Sequence, residues 1–180
     1  MIDVLKKIWN IFTWFLVSVV ILLAVALVGI RVIGFQPFAV LSGSMEPQYH
    51  VGSLIYVKSV DYRQIEPGDV ITYLLDEDTV STHRVVGIVP DEEDPTVLRY
   101  RTKGDANENE DGTLVHYKNI IGCPVEFSIP KLGYVASYIS SPPGMYVAMG
   151  CAALLILLVF LPDLLKDDDK KRGRFERLDD

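Results

Sequence analysis

Ile11 to Ile30 is an unbroken run of 20 residues without a charge. As a helix rising 1.5 Å per residue, about 20 residues cross the ~30 Å hydrocarbon core of a bilayer. Trp9 and Trp14 near its start suit the interfacial belt. The run exceeds the h-region of a cleavable signal peptide. Its A-x-A triplet, Ala24–Ala26, lies inside the apolar stretch rather than after it, so the reading is an uncleaved anchor. A second uncharged run, the 17 residues from Met145 to Leu161, is framed by Pro143 and Pro162, which suit a helix start and end. It is apolar all round, with no polar face, as a membrane span is.

Lysine and arginine near the spans set their orientation. Lys6 and Lys7 precede the first; Lys166, Lys170, Lys171, Arg172, Arg174 and Arg177 follow the second. Arg31 is a minor contrary vote. The positive-inside rule therefore puts both termini in the cytoplasm of a multi-pass protein of the cell membrane. The expected organisation is a cytoplasmic N-terminus over 1–10, a first transmembrane helix over 11–33 and an extracytoplasmic domain over 34–142. A second transmembrane helix follows over 143–165, then a charged tail over 166–180 that reads as disordered and cytoplasmic.

The net charge of −7 excludes a nucleic-acid binder, which needs a basic face to displace counterions. The acidity is local: residues 35–142 hold 16 acidic and eight basic side chains, a net −8. Cys123 is the one cysteine there, so no disulfide forms within the domain. No Cys/His cluster has zinc spacing, and the acidic clusters at 76–78, 91–94 and 105–111 read as solvated loop surface. No metal and no cofactor are expected.

The outer segment reads as all-β. Gly52–Lys58, Asp69–Leu75, Val80–Val89, Thr96–Lys103 and Ile120–Ile129 are rich in β-branched and aromatic residues. Pro-Gly, Asp-Glu-Asp and Gly-Asp-Ala-Asn turn signals separate them. Phe35, Phe38, Val40 and Leu41 fit either the β-core or the membrane interface, and the apolar, aromatic-containing stretch Phe127–Ile139 fits contact with the membrane.

Leu41-Ser-Gly-Ser-Met-Glu-Pro47 follows the first span. Ser44 is 11 residues beyond Ile33, at most about 36–40 Å of extended chain, which keeps it near the membrane surface. A serine becomes a nucleophile at neutral pH only beside a base, and the base needs an orienting partner. Of the histidines His50, His83 and His116, His83 lies in a strand, which holds an imidazole rigidly. The loop from Asp105 to Asp111 offers four acids in seven residues for the third role. On residue types alone, a strand histidine, a linker serine and an acidic loop also fit a non-catalytic β-domain on a membrane hairpin.

Ser42-Gly-Ser44-Met45-Glu-Pro47, Gly68-Asp69-Val70, Thr82-His83-Arg84-Val85 and Thr102-Lys103-Gly104-Asp105-Ala106-Asn107 with Asp111 stand in that order. Together they resemble type I signal peptidases. The likeness is to the endoplasmic-reticulum and archaeal branch, also found in some Gram-positive bacteria, and it covers about residues 10–125. The usual bacterial branch has a lysine base where this chain has His83.

The resemblance implies a signal-peptidase-like β fold carrying a Ser/His/Asp site. Ser44 would be the nucleophile, His83 the general base and Asp111 the acid that orients it, with Asp105 the rival. Ser42 would be the oxyanion donor beside the Ser44 backbone N–H. It also implies a membrane serine endopeptidase whose partners are signal-peptide-bearing preproteins and membrane lipid. The alternative is a non-catalytic membrane-anchored binding or assembly module. Two departures stand out. Ala106 replaces an asparagine common in relatives, and its side chain cannot hydrogen-bond. The C-terminal span, generally missing from eukaryotic catalytic subunits, points to a bacterium or archaeon.

Overall fold

A computed structural model describes residues 2–77 and 79–175. The chain divides into two compact units, residues 26–137 and a unit of 1–25 with 138–180.

The first unit holds seven antiparallel strands. They are β1 (Phe35–Ala39), β2 (Leu54–Lys58), β3 (Val70–Leu74), β4 (Val80–Pro90), β5 (Leu98–Lys103), β6 (Val115–His116) and β7 (Ile120–Ile129). Their order in the sheet is β1-β2-β7-β3-β4-β5-β6. The five strands expected from β-former runs all form, with ends within two residues of those expected. Two strands were not foreseen. Pro37 argues against a strand, yet β1 lies at the sheet edge, where a missing N–H is tolerated. Two-residue β6 is too short to leave a pattern.

The side chains explain the pairing. In β3, Ile71 and Tyr73 enter one core with Val85, Tyr100 and Val115. Thr72, between them, meets Thr82 of β4 at 2.8 Å in a cross-strand hydroxyl pair. A second core gathers Met45, Tyr49, Ile55 and Val57, with Phe38 and Val40 packed against it. Of the apolar residues around 35–41, Phe38 and Val40 thus serve the core, whereas Leu41 is exposed.

The expectation of a wholly β domain needs correction after β7, where helix α2 (Leu132–Ser140) forms. Its first turn lies against the start of β2: the Gly133 N–H donates to the Gly52 carbonyl at 3.0 Å. A side chain at Gly133 would stand 2.2 Å from the Ser53 carbonyl oxygen, so the close approach requires glycine. The β-period reading of the preceding residues missed this helix because nine residues are too few to reveal a helical period.

The other unit contains helices α1 (Ile2–Leu27) and α3 (Pro142–Phe175). Both include stretches long and apolar enough to cross a membrane. The α-helical geometry of α1 ends at Leu27, while the apolar helical stretch runs on to Ile33. A tighter 3-10 turn, Gly29–Ile33, follows and is closed by Gly34 in the left-handed region at φ 86°. That turn redirects the chain into β1. α3 continues to Phe175, ten residues into the segment expected to be disordered. Lysine and arginine at 166, 170–172 and 174 favour the helix, and elongation of an already nucleated helix outweighs the weaker propensity of Asp167–Asp169 and Gly173. The remainder of the expected tail, 176–180, lies outside the described residues.

Candidate active site

Ser44 sits in the turn between β1 and β2, and its neighbours fix that turn. Met45 and Tyr49 are buried, at 3% and 2% exposure, so both sides of the turn are pinned to the core. The Tyr49 hydroxyl donates to the Val125 carbonyl at 3.2 Å. From the other direction, the Ala106 backbone N–H donates to the Ser44 carbonyl at 2.9 Å. Position 106 therefore meets Ser44 through its main chain, and the alanine there leaves the contact intact. Gly104 belongs to the same turn: a Cβ on it would lie 2.6 Å from the Ser44 carbonyl oxygen. The Gly-Asp-Ala-Asn turn and the serine turn are thus pressed backbone against backbone.

His83 is on β4, opposite Ile71 of β3. Its Nε2 lies 3.1 Å from Ser44 Oγ and its Nδ1 lies 2.6 Å from Asp111 Oδ2. The imidazole is 12% exposed, the Asp111 side chain 21%. Asp111 sits in the loop after β5, and its N–H donates to the Thr102 carbonyl at 2.8 Å. Its Oδ2 also accepts from Thr102 Oγ1 at 2.6 Å and from the Tyr73 hydroxyl at 3.2 Å. Sequence reasoning missed Thr102 and Tyr73. Both occupy core positions of strands and look there like ordinary packing residues.

Asp105, the rival acid, is engaged elsewhere. Arg84 grips it through two bonds, Nε to Oδ1 at 2.8 Å and Nη2 to Oδ2 at 2.6 Å. The Asp105 side-chain hydrogen bonds raise the Arg84 guanidinium above its ordinary pKa, against the opposing effect of burial. Arg84 also donates to the Gly68 carbonyl at 2.8 Å, tying the Gly68 turn to the Gly104 turn. The reason for the split is strand geometry. His83 and Arg84 are successive residues and point to opposite faces, so each collects a different carboxylate of the same loop.

Ser42 Oγ is 3.2 Å from Ser44 Oγ, so a second hydroxyl stands at the reacting atom. The other histidines are remote in role: His50 pairs with Glu46 at 2.5 Å on the surface, and His116 stacks on Tyr117. Among the described residues, no group of three or more His, Cys, Asp or Glu gathers to hold a metal ion.

The flank of the site is open. Residues 80–83 of β4 pair with β3 alone, since pairing with β5 begins at Arg84. A cavity of about 180 Å³ lies beside His83 and Asp111, lined also by Tyr73, Leu75, Ser81 and Leu114. Ser44 is not among its lining residues. Chemically, a hydroxyl, an imidazole and a carboxylate in sequence can move a proton from oxygen to nitrogen while the carboxylate holds the ring.

Residues 11–94 match the family described as signal peptidase, peptidase S26. Signal peptidase I W of Bacillus subtilis (strain 168) is 39% identical over 92 residues, 47% of this chain and 48% of that protein. The signal peptidase complex catalytic subunit SEC11 of Fusarium vanettenii is 33% identical over 140 residues, 72% of this chain and 81% of that protein. The match thus spans about half the length of the Bacillus protein and about four fifths of the fungal one.

Proposed function

Because the chain belongs to the signal peptidase family, peptidase S26, we propose that it is a membrane-bound serine endopeptidase that removes N-terminal signal peptides from secreted preproteins, cutting after small residues. The observation that carries this reading is the continuous hydrogen-bonded chain Ser44 Oγ, His83 Nε2, His83 Nδ1, Asp111 Oδ2.

In this reading His83 takes the Ser44 proton as Oγ attacks the scissile carbonyl, then delivers it to the leaving amine. Asp111 keeps the other ring nitrogen protonated and stabilises the imidazolium. The Ser44 backbone N–H and the Ser42 hydroxyl donate to the tetrahedral oxyanion, each worth about 3–4 kcal/mol in comparable sites. Water, activated by the same imidazole, hydrolyses the acyl-enzyme. The chemistry uses only groups of the chain and water.

The extended segment of the substrate adds as a strand along the open edge of residues 80–83, where main-chain hydrogen bonds supply affinity. Larger side chains at the cut are rejected by steric exclusion, since burying a methylene discriminates by only about 1–3 kcal/mol. α1 and α3 span the membrane with both termini cytoplasmic, and the β-domain faces outward. Substrate and enzyme then share one membrane, which raises their effective concentration.

The test is cleavage of a purified preprotein by the full chain in detergent micelles, with products identified by mass spectrometry. A single cut after a small residue, lost in Ser44→Ala, is the expected result. A Ser44→Ala protein that cleaves as well as the parent rejects the proposal. A parent that binds preprotein without yielding product makes the chain a binding module.

A further inference from the structure

The carboxylate that orients His83 is itself held by two buried hydroxyls. Asp111 Oδ2 takes three hydrogen bonds: His83 Nδ1 at 2.6 Å, Thr102 Oγ1 at 2.6 Å and the Tyr73 hydroxyl at 3.2 Å. Thr102 is 0% exposed and Tyr73 2%. The two hydroxyls also touch, with Tyr73 Oη 3.2 Å from Thr102 Oγ1. Tyr73 packs edge-on to the His83 ring, centroids 6.5 Å apart. The same small cluster therefore contacts both members of the acid–base pair.

An ordinary core would fill these positions with valine and phenylalanine, which have nearly the same shape and carry no polar atom to satisfy. A buried hydroxyl costs free energy unless it is bonded. Here both are bonded, and to a charged acceptor, where hydrogen bonds are strongest. The strands position them well. Tyr73 stands on β3 two residues from Ile71, the register partner of His83. Thr102 stands on β5, and its own carbonyl holds the Asp111 backbone N–H at 2.8 Å. Thr102 thus fixes Asp111 twice, at main chain and side chain.

We infer that Thr102 and Tyr73 are positioning residues of the proposed peptidase, setting the rotamer and hydrogen-bonding load of Asp111 so that its Oδ2 stays on His83 Nδ1. Asp111 lies in a loop, and a loop carboxylate with one partner swings between rotamers. Two donors from the rigid sheet remove that freedom before substrate arrives, which is the preorganisation a proton relay requires. Burial pushes the Tyr73 phenol above its ordinary pKa, so it remains a donor throughout the neutral range. Both residues are buried and bond to Asp111, so they act through it.

The inference rests on the serine peptidase reading, and the experiment separates the two. Steady-state kcat and KM on a preprotein are measured for the full chain in detergent as Thr102→Val, Thr102→Ser and Tyr73→Phe. Thr102→Val and Thr102→Ser are also combined with Asp111→Ala. Thr102→Val is expected to lower kcat about tenfold with KM unchanged, and Thr102→Ser to recover most of it. In the Asp111→Ala background the valine and serine forms should be equal, because the hydroxyl then has nothing to hold. Should Thr102→Val fail to fold, Tyr73→Phe carries the test, with an expected loss of about threefold in kcat. Undiminished kcat in the folded variants overturns the inference, as does an equal loss with and without Asp111. Full activity in Asp111→Ala alone instead overturns the site assignment on which the inference stands.

Discussion

Ser44 Oγ lies 3.1 Å from His83 Nε2, although the two residues are 39 apart in the chain. Ser44 follows β1 at one edge of the sheet, whereas His83 is on β4, with β2, β7 and β3 between those strands in the sheet order. The turn after β1 folds over the sheet, with Met45 and Tyr49 as its buried anchors, and so reaches β4. Replacing Ser44 by Ala should lower cleavage by at least about a thousandfold while leaving the thermal midpoint unchanged. Preprotein cleavage and a thermal melt on the same sample check both halves.

Asp111 and Asp105 should separate cleanly in kinetics. Asp111→Asn replaces the charged acceptor of His83 Nδ1–H by a neutral amide that can also donate and so favour the wrong tautomer, and should lower kcat by about 10³–10⁴. Asp105→Asn leaves that bond in place and loosens the Arg84 grip on the Gly104 turn. A loss of no more than about tenfold is expected there, as for a partly exposed ion pair. Steady-state kinetics of the two variants decides the order, and a larger loss for Asp105→Asn contradicts the assignment.

Gly104→Ala should damage the site without altering any candidate catalytic side chain. The added methyl would stand 2.6 Å from the Ser44 carbonyl oxygen and 2.7 Å from the Asn107 side-chain amide nitrogen, so the serine turn must shift. Overpacking of this kind costs about 1–3 kcal/mol. The serine turn should move off His83 and kcat should fall. Gly112→Ala is the control, because no heavy atom lies within 4 Å of a Cβ built there. Equal stability and activity of the two variants refutes the packing argument.

Cys123 gives a pH prediction outside the site. Burial, assisted by Asp69, pushes its thiol from the ordinary 9.0 up to about 11. The folded protein therefore holds this proton where the unfolded chain has already released it. Its contribution to stability is complete below about pH 9 and is lost as pH rises through about 11. Native Cys123 should resist alkylation at pH 8 and react fast once the protein is unfolded. A Cys151→Ala background isolates the signal, and alkylation at equal rates in native and denatured protein contradicts the prediction.

Much of the fold was legible in the residues. Charge-free runs long enough to cross a bilayer announce α1 and α3, since a stretch of that length and composition is built to bond every backbone group within its own helix. Five strands followed from β-branched and aromatic runs between turn signals. The elements missed were those whose logic is not local. β1 contains a proline that only an edge position excuses, β6 has two residues, and α2 depends on glycine contacts with the start of β2.

For the site, the sequence alone determined the chemistry on offer: a serine in a short polar turn, a strand histidine and an acidic loop, in the order of a known family. It left the acid open between Asp105 and Asp111. Only the tertiary structure decided which carboxylate meets the imidazole. The alternation of β4 sends His83 and Arg84 to opposite faces, and the turn at Gly104 hands one acid to each. Thr102 and Tyr73 were invisible for the same reason. A buried threonine and a buried tyrosine are common strand residues, and they acquire a role only when folding brings a loop carboxylate within 2.6 and 3.2 Å of their hydroxyls.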